Sequence, residues 1–596
     1  MRSVSEMNNL VSLFFERAKT NGDKPFLSRK IDGVWVAKSW SMVAAEVVTL
    51  ALAIQKLGLA AGDRVMLVSE NRPEFCIADL AIMAAGCITV PTYTSNTEAD
   101  HAHILADSGA RAVIVSNAKI ARTLLPAILR GGTVKHVIGI EPLKIGQSGV
   151  VSYHDWDALL AAESADIDTF AAQINFQRND IACLIYTSGT AGNPRGVMQT
   201  HGGLLLNITG ASAIVLEDFP RSQEVFLSFL PLSHAYEHTA GQYIPVYLSA
   251  HIYYAESLEK LAANMEDVRP TIMVIVPRLL ELLRTRVLKA VDKQGGTAQG
   301  LMRRAIALGE KRQAGRIRFW DRPVDVLLDR TIRKKLQARF GGRIKALVCG
   351  GAPLNPEIGN FFDSLGLTVL QGYGQTEASP LISCNRPRVG LRMDTVGAPL
   401  KDVEVKIAED GEILVRGELV MRGYWNRPED TAAAIQNGWL HTGDIGHLDA
   451  VGRLMITDRK KDIIVNDKGE NIAPQKIEGM LTLADEIHQA MVMGDKRPHL
   501  VGLIIPDPEW ALEWARANDE KYDLATLCKL PAFHKAVTAA VDRVNAQLSV
   551  TEKVRRAMII PEPFTIENEM LTPSIKIRRH KIKAVYGAQL ESLYKN

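Results

Sequence analysis

The sequence predicts an α/β protein. A large N-terminal domain of mostly parallel α/β sheet, residues 1–458, carries a small β subdomain near 400–458, and a smaller mobile α+β domain follows over 459–596. Three observations predict this. Short apolar runs alternate with helical patterns through the first three quarters of the chain. Near residue 400 the pattern changes to apolar/polar alternation. After Asp458 a third, compact mixture of strands and helices begins.

In chain order, RVMLVSE (64–70), RAVIVS (111–116), HVIGI (136–140), ACLIYT (182–187), TIMVIVP (271–277) and KALVCGG (345–351) read as buried strands. Each is short, rich in β-branched residues, and closed by Gly, Pro or a polar residue. Between them, stretches such as SMVAAEVVTLALAIQKLG and EFCIADLAIMAAG have helical length and apolar spacing. Strand and helix in alternation imply a parallel sheet with helices on its faces. KDVEVKIAEDGEILVRGELVMRGYW alternates around Asp410-Gly411, a turn pair, and predicts an antiparallel hairpin. DIIVNDKGENIAPQKIE, HQAMVMG, HLVGLIIP, a helical stretch and AMIIP then describe a unit of ordinary domain size. The boundary is expected in the charged run Asp458-Arg459-Lys460-Lys461-Asp462.

With 596 residues the chain exceeds one ordinary domain. Hydrophobic residues at 47% and charged residues at 23% suit a large-cored globular protein. A formal charge of +3 argues for no particular partner, and no nucleic-acid partner is expected. The N-terminal MRSVSEMNNLVSLFFERAKT lacks the pattern of a secretory signal, and no apolar run approaches the roughly 20 residues that span a bilayer. The six cysteines show no CxxC pair, so buried thiols in a reducing cytoplasm are expected rather than a zinc site or disulfides.

Residues 186–196, YTSGTAGNPRG, follow a buried strand. Thr187, Ser188 and Thr190 offer hydroxyls; Gly189, Gly192 and Gly196 let the backbone approach a ligand; Arg195 supplies charge. Hydroxyls, backbone N–H groups and a cation are what a polyphosphate requires, and a plain polar turn needs none of this set. The GxxxxGK[ST] spacing of a Walker A loop is missing. YTSGTAGNPRGVMQTH resembles the signature of the AMP-forming acyl-adenylate superfamily, with Ala191 where that family usually has Thr and Arg195 where it has Lys. Arginine keeps the charge and changes its geometry.

Further segments follow in the family's order. Gly350-Gly351-Ala352-Pro353-Leu354 resembles its adenine loop, and Gln371-Gly372-Tyr373-Gly374-Gln375-Thr376-Glu377 its most diagnostic segment. The resemblance implies that Gly351, Ala352, Gln371, Tyr373 and Gly374 hold the nucleotide, with Tyr373 stacked on adenine, Thr376 on the α-phosphate and Glu377 on Mg²⁺. HTGD (441–444) implies Asp444 on the ribose hydroxyls, and Arg459 corresponds to a ribose or phosphate contact. Lys461 falls on the family's hinge, whereas Lys460 reads as a solvated linker residue. TPSIKIRR (572–579) resembles the final motif, whose lysine, Lys576, touches the acyl carboxylate and the α-phosphate. Around Lys461 the small domain of the family rotates between two half-reactions, after which Lys468, Gly469 and Glu470 are expected to line the channel for coenzyme A.

A carboxylate is a poor electrophile, and attack on the α-phosphorus of ATP turns it into a mixed anhydride that a thiol can open. LPLSHAYEHTAGQY (230–243) resembles the segment of bacterial long-chain fatty acyl-CoA synthetases, with His234 and Glu237 at characteristic places and His238 where Arg is frequent. His234 is counted with Thr376, Glu377 and Lys576 as catalytic. The implied substrates are a fatty acid, ATP and coenzyme A, with Mg²⁺. Two rivals remain: a fatty acyl-AMP ligase feeding a carrier protein, and a non-catalytic nucleotide-binding relative. The short step from DRKKDIIV to GENIAP lacks the hinge insertion typical of the first; Glu377, Asp444 and Lys576 together oppose the second. Residues 284–345 carry 18 Lys/Arg against 5 Asp/Glu. That segment is either a solvated face or a contact with anionic membrane, which would put a cytoplasmic protein on the inner face of the plasma membrane. Chain length of the acyl group and oligomeric state stay open.

Overall fold

The computed structural model describes residues 7–143, 149, 151–162, 166–187, 193–313, 315–572 and 577–595. Contacts divide the chain into two compact units. One comprises 1–406, 414–442 and 449–454; the other 407–413, 443–448 and 455–596. The division crosses the strands Glu412–Arg416, Trp439–Leu448 and Leu454–Arg459.

The first unit is built on two large sheets. In the eight-stranded sheet, Ile181–Thr187, Ile88–Thr92, Arg64–Val68, Ala112–Val115, His136–Gly139 and Ser152–Asp155 are parallel neighbours. Arg195–Thr200 and Gly423–Tyr424 extend it antiparallel at one side. The nine-stranded sheet has a parallel centre of Val369–Gly374, Ala346–Cys349, Ile272–Ile275, Val225–Ser228, His251–Tyr254 and Pro25–Ile31, with antiparallel strands at both ends. The six apolar runs of the sequence all lie in these sheets, because strands covered on both faces have no polar side to show. Ala112–Val115 and Ile272–Ile275 are buried at every position.

Trp40–Lys56 and Pro73–Ala84 form the two expected helices. Ser39 caps the first by accepting from Met42 N, and Pro73 starts the second at a position that needs no N–H donor. Every residue of Pro73–Ala84 is buried, including Asp79. Phe26 and Trp40 stack at 3.7 Å in this core.

In the second unit, Ile487–Met493 and Leu500–Pro506 pair antiparallel, and Val554–Ile559 joins Leu500–Pro506 in parallel. Pro474–Leu481 and Pro531–Asn545 contribute to one core with this sheet, and Arg579–Ser592 to another. The six cysteines are free thiols, five of them buried.

Candidate active site

The parallel centre of the nine-stranded sheet points its carboxyl ends to one edge, where open α/β sheets bind ligands. Val225–Ser228 leads there to His234, Ala346–Cys349 to Gly350-Gly351-Ala352, and Val369–Gly374 to Thr376-Glu377. Cys349 pairs with Gln371, so the glycine loop leaves the sheet beside Gln371-Gly372-Tyr373-Gly374. Gly374 can only be glycine: a Cβ there would lie 1.8 Å from Pro380 O. Its backbone therefore turns tightly into the short helix Thr376–Ala378.

Glu377 and Arg195 meet through a residue that the sequence reading overlooks, Tyr424. The Tyr424 hydroxyl donates to Glu377 Oε1 at 2.8 Å. An Arg195 Nη donates to the Tyr424 oxygen at 3.3 Å, and its guanidinium lies 4.1 Å from the ring centroid. Asp430 stands 3.6 Å from Arg195 on the other side. Burial first, and then the Glu377 carboxylate, hold the Tyr424 phenol well above its ordinary value, so it remains a donor at neutral pH. Gln199 Nε2 donates to Thr376 O at 2.8 Å, and Met421 N to Glu377 O at 2.8 Å, which fixes the backbone under both side chains. GYW (423–425) was the available signal: a two-residue strand whose Tyr424 pairs with Val197 two positions after Arg195.

The strands that flank the phosphate segment in sequence form a β-hairpin. Ile181–Thr187 and Arg195–Thr200 pair antiparallel, with Thr187 opposite Arg195 and Tyr186 opposite Gly196. Ser188, Gly189 and Thr190 lie outside the described residues. The hairpin is held at its base by His103 Nε2 against Pro194 O at 2.8 Å and by Trp425 N donating to Gly196 O at 2.7 Å. Tyr186 leans on Gly196, where a Cβ would be 3.0 Å from the ring, and its hydroxyl donates to Asp107 at 2.7 Å.

His234 caps the helix Ala235–Glu237, its Nδ1 accepting from Tyr236 N at 3.1 Å, which orients the imidazole. Tyr236 donates to Val348 O at 2.8 Å, and its ring is what a Cβ on Gly350 would meet first, at 3.1 Å. His234 is thereby tied to the glycine loop. The chain continues as a π-turn, His238–Tyr243, buried at every residue. Three of its side chains converge on Asp79 Oδ2: His238 Nε2 at 3.0 Å, Gln242 Nε2 at 2.7 Å and Tyr243 OH at 2.7 Å. A carboxylate in the middle of EFCIADLAIMAAG was the sequence signal for this cluster. Glu237 accepts from Ser228 Oγ at 2.6 Å, and burial pushes its carboxyl up to about 8.

Tyr373 and Gln371 are both buried, and Gln371 Oε1 has no hydrogen-bond partner among the described residues. An orphaned acceptor beside a glycine loop fits an exocyclic amine such as that of adenine. A single carboxylate, Glu377, fits Mg²⁺, which takes one or two protein oxygens and completes its shell with water and phosphate. Among the described residues no group of three or more His, Cys, Asp or Glu could hold a metal by itself.

In the second unit Asp444, buried at 5% exposure, faces Arg459 Nε at 3.3 Å. Lys460 is exposed in a turn, as a solvated linker residue would be, and its ammonium also pairs with Asp410 at 2.6 Å and Glu412 at 3.0 Å. Lys461 sits exposed in the turn closed by Asp462 N donating to Arg459 O at 2.9 Å. Lys468, Gly469 and Glu470 are exposed on a turn shaped by Asn466, whose Oδ1 accepts from Lys468 N at 3.0 Å and Glu470 N at 2.8 Å. Gly469 has φ +80°, the reason for a glycine there. Lys576 lies outside the described residues; Leu571 and Ile577, on either side of it in sequence, form an antiparallel bridge. Arg579 makes a bidentate pair with Glu478, one bond being 2.7 Å.

The profile of the AMP-binding enzyme family matches residues 14–425, and that of the AMP-binding enzyme C-terminal domain matches 461–596. The chain is 33% identical over 598 residues to the long-chain-fatty-acid–CoA ligase FadD15 of Mycobacterium tuberculosis, covering 99% of this chain and 98% of that protein. It is also 33% identical to the peroxisomal long chain acyl-CoA synthetase 7 of Arabidopsis thaliana, over 99% of this chain and 87% of the other. Among solved structures, the adenylation domain of a Mycobacterium chelonae carboxylate reductase aligns with TM-score 0.75 at 21% identity, over 99% of this chain and 91% of that one. The o-succinylbenzoate coenzyme A synthetase of Bacillus subtilis, in complex with ATP and magnesium, aligns with TM-score 0.67 at 21% identity, over 96% and 99%. These two establish the fold. With two consecutive domain profiles matched and full-length relatives at this identity, the chain belongs to the AMP-binding enzyme family.

Proposed function

We propose that this chain activates a long-chain fatty acid with ATP to acyl-AMP and passes the acyl group to coenzyme A, releasing AMP and pyrophosphate. The observation that carries the substrate class is the full-length likeness to long-chain fatty acid ligases at 33% identity. In the first step a carboxylate oxygen of the acid bonds to the α-phosphorus and the bond to the β-phosphate breaks. Arg195, Thr376, the loop hydroxyls Thr187, Ser188 and Thr190, and Lys576 serve to hold and neutralise the phosphates. Mg²⁺ on Glu377 supplies charge neutralisation when bound. Tyr424 keeps the Glu377 carboxylate oriented, and its pairing with Arg195 fixes the two opposite charges in one place. Gln371, Tyr373, Gly374, Gly351 and Ala352 receive adenine; Asp444 and Arg459 receive the ribose. In the second step the thiol loses its proton, sulfur bonds to the acyl carbon, and AMP leaves. Lys468, Gly469 and Glu470 line the thiol's path, with Lys461 as pivot.

The domain limits follow the same reading: 1–458 binds acid and nucleotide, and 459–596 carries Lys576. The chain works in the cytoplasm, peripherally on anionic membrane through its basic segment 284–345. No described helix is long and apolar enough to cross a membrane. Incubation with palmitate, ATP, Mg²⁺ and coenzyme A, measuring AMP and thioester separately, tests the function. AMP without thioester would overturn the final acceptor, and neither product would overturn the enzyme.

A further inference from the structure

The basic segment does not present its charges as a uniform face. It folds as the helices Pro277–Gln294 and Gly296–Gln313, a short connection, and a helical run from Phe319 to Arg339. Its inner side packs on the helix Pro356–Ser364. Gly309 lies against Ser364, where a Cβ would be 1.7 Å from Oγ, and Arg333 Nε donates to Ser364 O at 2.9 Å. Arg333, only 3% exposed, also pairs with Asp325 at 2.6 Å and Asp329 at 2.8 Å. Lys311 pairs with Asp321 at 2.9 Å and Arg312 with Asp325 at 2.9 Å. From the sequence, Lys311-Arg312 and Arg333-Lys334-Lys335 count with Arg303-Arg304 as the basic groups of the membrane contact. The structure spends Lys311, Arg312 and Arg333 on holding the segment together, because its own aspartates are close enough to take them up.

What remains outside is apolar with a basic rim. Ile317, Phe319, Trp320, Val324, Val326 and Leu327 are all exposed, six large apolar side chains within eleven positions. Phe319 is 75% and Trp320 53% exposed, and their rings meet edge to face at 4.7 Å. Monomeric proteins rarely leave so dense an apolar cluster in water. Arg316, Arg318, Arg322 and Arg330 are interspersed with it along the chain and are exposed. The Arg318 guanidinium stacks 5.2 Å from the Trp320 ring, so charge and aromatic surface form one amphipathic unit.

We propose that the turn 315–330 is an interfacial wedge. Phe319, Trp320 and the valines and leucine of the following helix enter the acyl–headgroup boundary of an anionic bilayer, and the four arginines lie on its phosphates. This rests on the membrane reading above, in which Phe319-Trp320 already stands between basic pairs as an aromatic anchor, and deepens it: Lys311, Arg312 and Arg333 are engaged within the segment, and apolar insertion, assisted by charge, holds the surface. The rim decides against a second copy of this chain as occupant. A two-fold contact would bring the same four arginines of both copies together, and the segment's aspartates are already engaged.

Flotation with phosphatidylserine-containing vesicles at low and high salt tests the proposal, using wild type, Phe319→Ser/Trp320→Ser and Lys334→Glu/Lys335→Glu. Wild type is expected to float and to keep part of its binding at high salt, because apolar insertion is not screened. The serine double variant is expected to lose about tenfold or more in vesicle partition while keeping wild-type turnover of a short, water-soluble acid. The glutamate double variant is expected to weaken mainly at low salt. If wild type does not float, the membrane reading fails and the wedge with it. If wild type floats and the serine variant floats equally well, the wedge alone is overturned. A wild-type dimer in sedimentation that the serine variant dissociates would also overturn it, making the patch a protein interface.

Discussion

At the residue scale the protein sets its carboxylates in unlike surroundings. Glu377 shares its oxygen with the Tyr424 hydroxyl, and Glu377→Gln keeps the shape while removing the charge that a hard cation prefers. It should raise the Mg²⁺ requirement of acyl-AMP formation about tenfold or more and leave the folded protein intact. A magnesium titration of pyrophosphate release checks this, and an unchanged midpoint removes Glu377 from the metal. Glu237 and Asp458 differ in kind. Burial holds their carboxyls up to about 8 and about 7, above the usual carboxylate range. The native protein therefore keeps protons that the unfolded chain loses at about pH 4. Both groups cost stability as pH rises from that point to their folded values, and the cost is constant above. Glu237→Gln should gain stability relative to wild type between pH 5 and 8, read as the difference in thermal midpoint; a flat difference would mean that Glu237 ionises normally. YGQTE and HTGD were legible because several chemistry-bearing residues sit in one short window. Tyr424 was not, since its partners lie 47 and 229 positions away and only the hairpin Ile181–Thr187/Arg195–Thr200 brings it to them.

At the element scale the same distinction holds. Strands buried on both faces announce themselves as apolar runs, and six were legible, whereas Ile88–Thr92 and Val225–Ser228, buried at every position, were not, since Thr, Pro and Ser interrupt so short a run. Arg195–Thr200 was not, because Arg195, Gln199 and Thr200 leave no apolar run, although the strand lies between Ile181–Thr187 and Gly423–Tyr424. The π-turn His238–Tyr243 was equally hidden: nothing local demands the wider turn, and its side chains find their partner on Asp79 of another helix. That cluster joins Pro73–Ala84 to the segment that begins at His234. Removing the buried carboxylate takes the shared acceptor from three side chains, of which Tyr243 OH and His238 Nε2 still face each other at 3.0 Å, so Asp79→Ala should lower the stability of the first unit by about 3 kcal/mol. Urea unfolding followed by fluorescence measures this. Asp79→Asn, which keeps one acceptor oxygen, should lose less. Equal losses in the two variants would mean that volume, not hydrogen bonding, holds the π-turn in place.

At the scale of the whole molecule, the change of texture near residue 400 and the charged run at 458–462 were visible, while the interleaving of 407–413 and 443–448 with the C-terminal unit was not. Contacts between strands distant in sequence produce that interleaving, and no local pattern encodes them. The consequence concerns Lys461. It occupies the third position of the turn Arg459–Asp462, exposed, while Lys460 beside it is anchored to Asp410 and Glu412. Two successive exposed residues, the first held only by surface ion pairs, are where a chain can turn without breaking packing. Proline at 461 fixes φ near −65° and is disfavoured at this turn position. Lys461→Pro should therefore leave acyl-AMP formation within a few-fold of wild type and lower thioester formation from supplied acyl-AMP by about tenfold or more. Lys461→Ala, which leaves φ free, should lower neither step comparably. Lys576→Ala should show the reverse pattern, losing about 10²-fold in acyl-AMP formation while transfer from supplied acyl-AMP persists. Single-turnover measurement of each half-reaction in the three variants separates these outcomes. Normal rates for both steps in Lys461→Pro would move the pivot elsewhere in 458–462, and equal losses for both steps in Lys576→Ala would make that lysine structural.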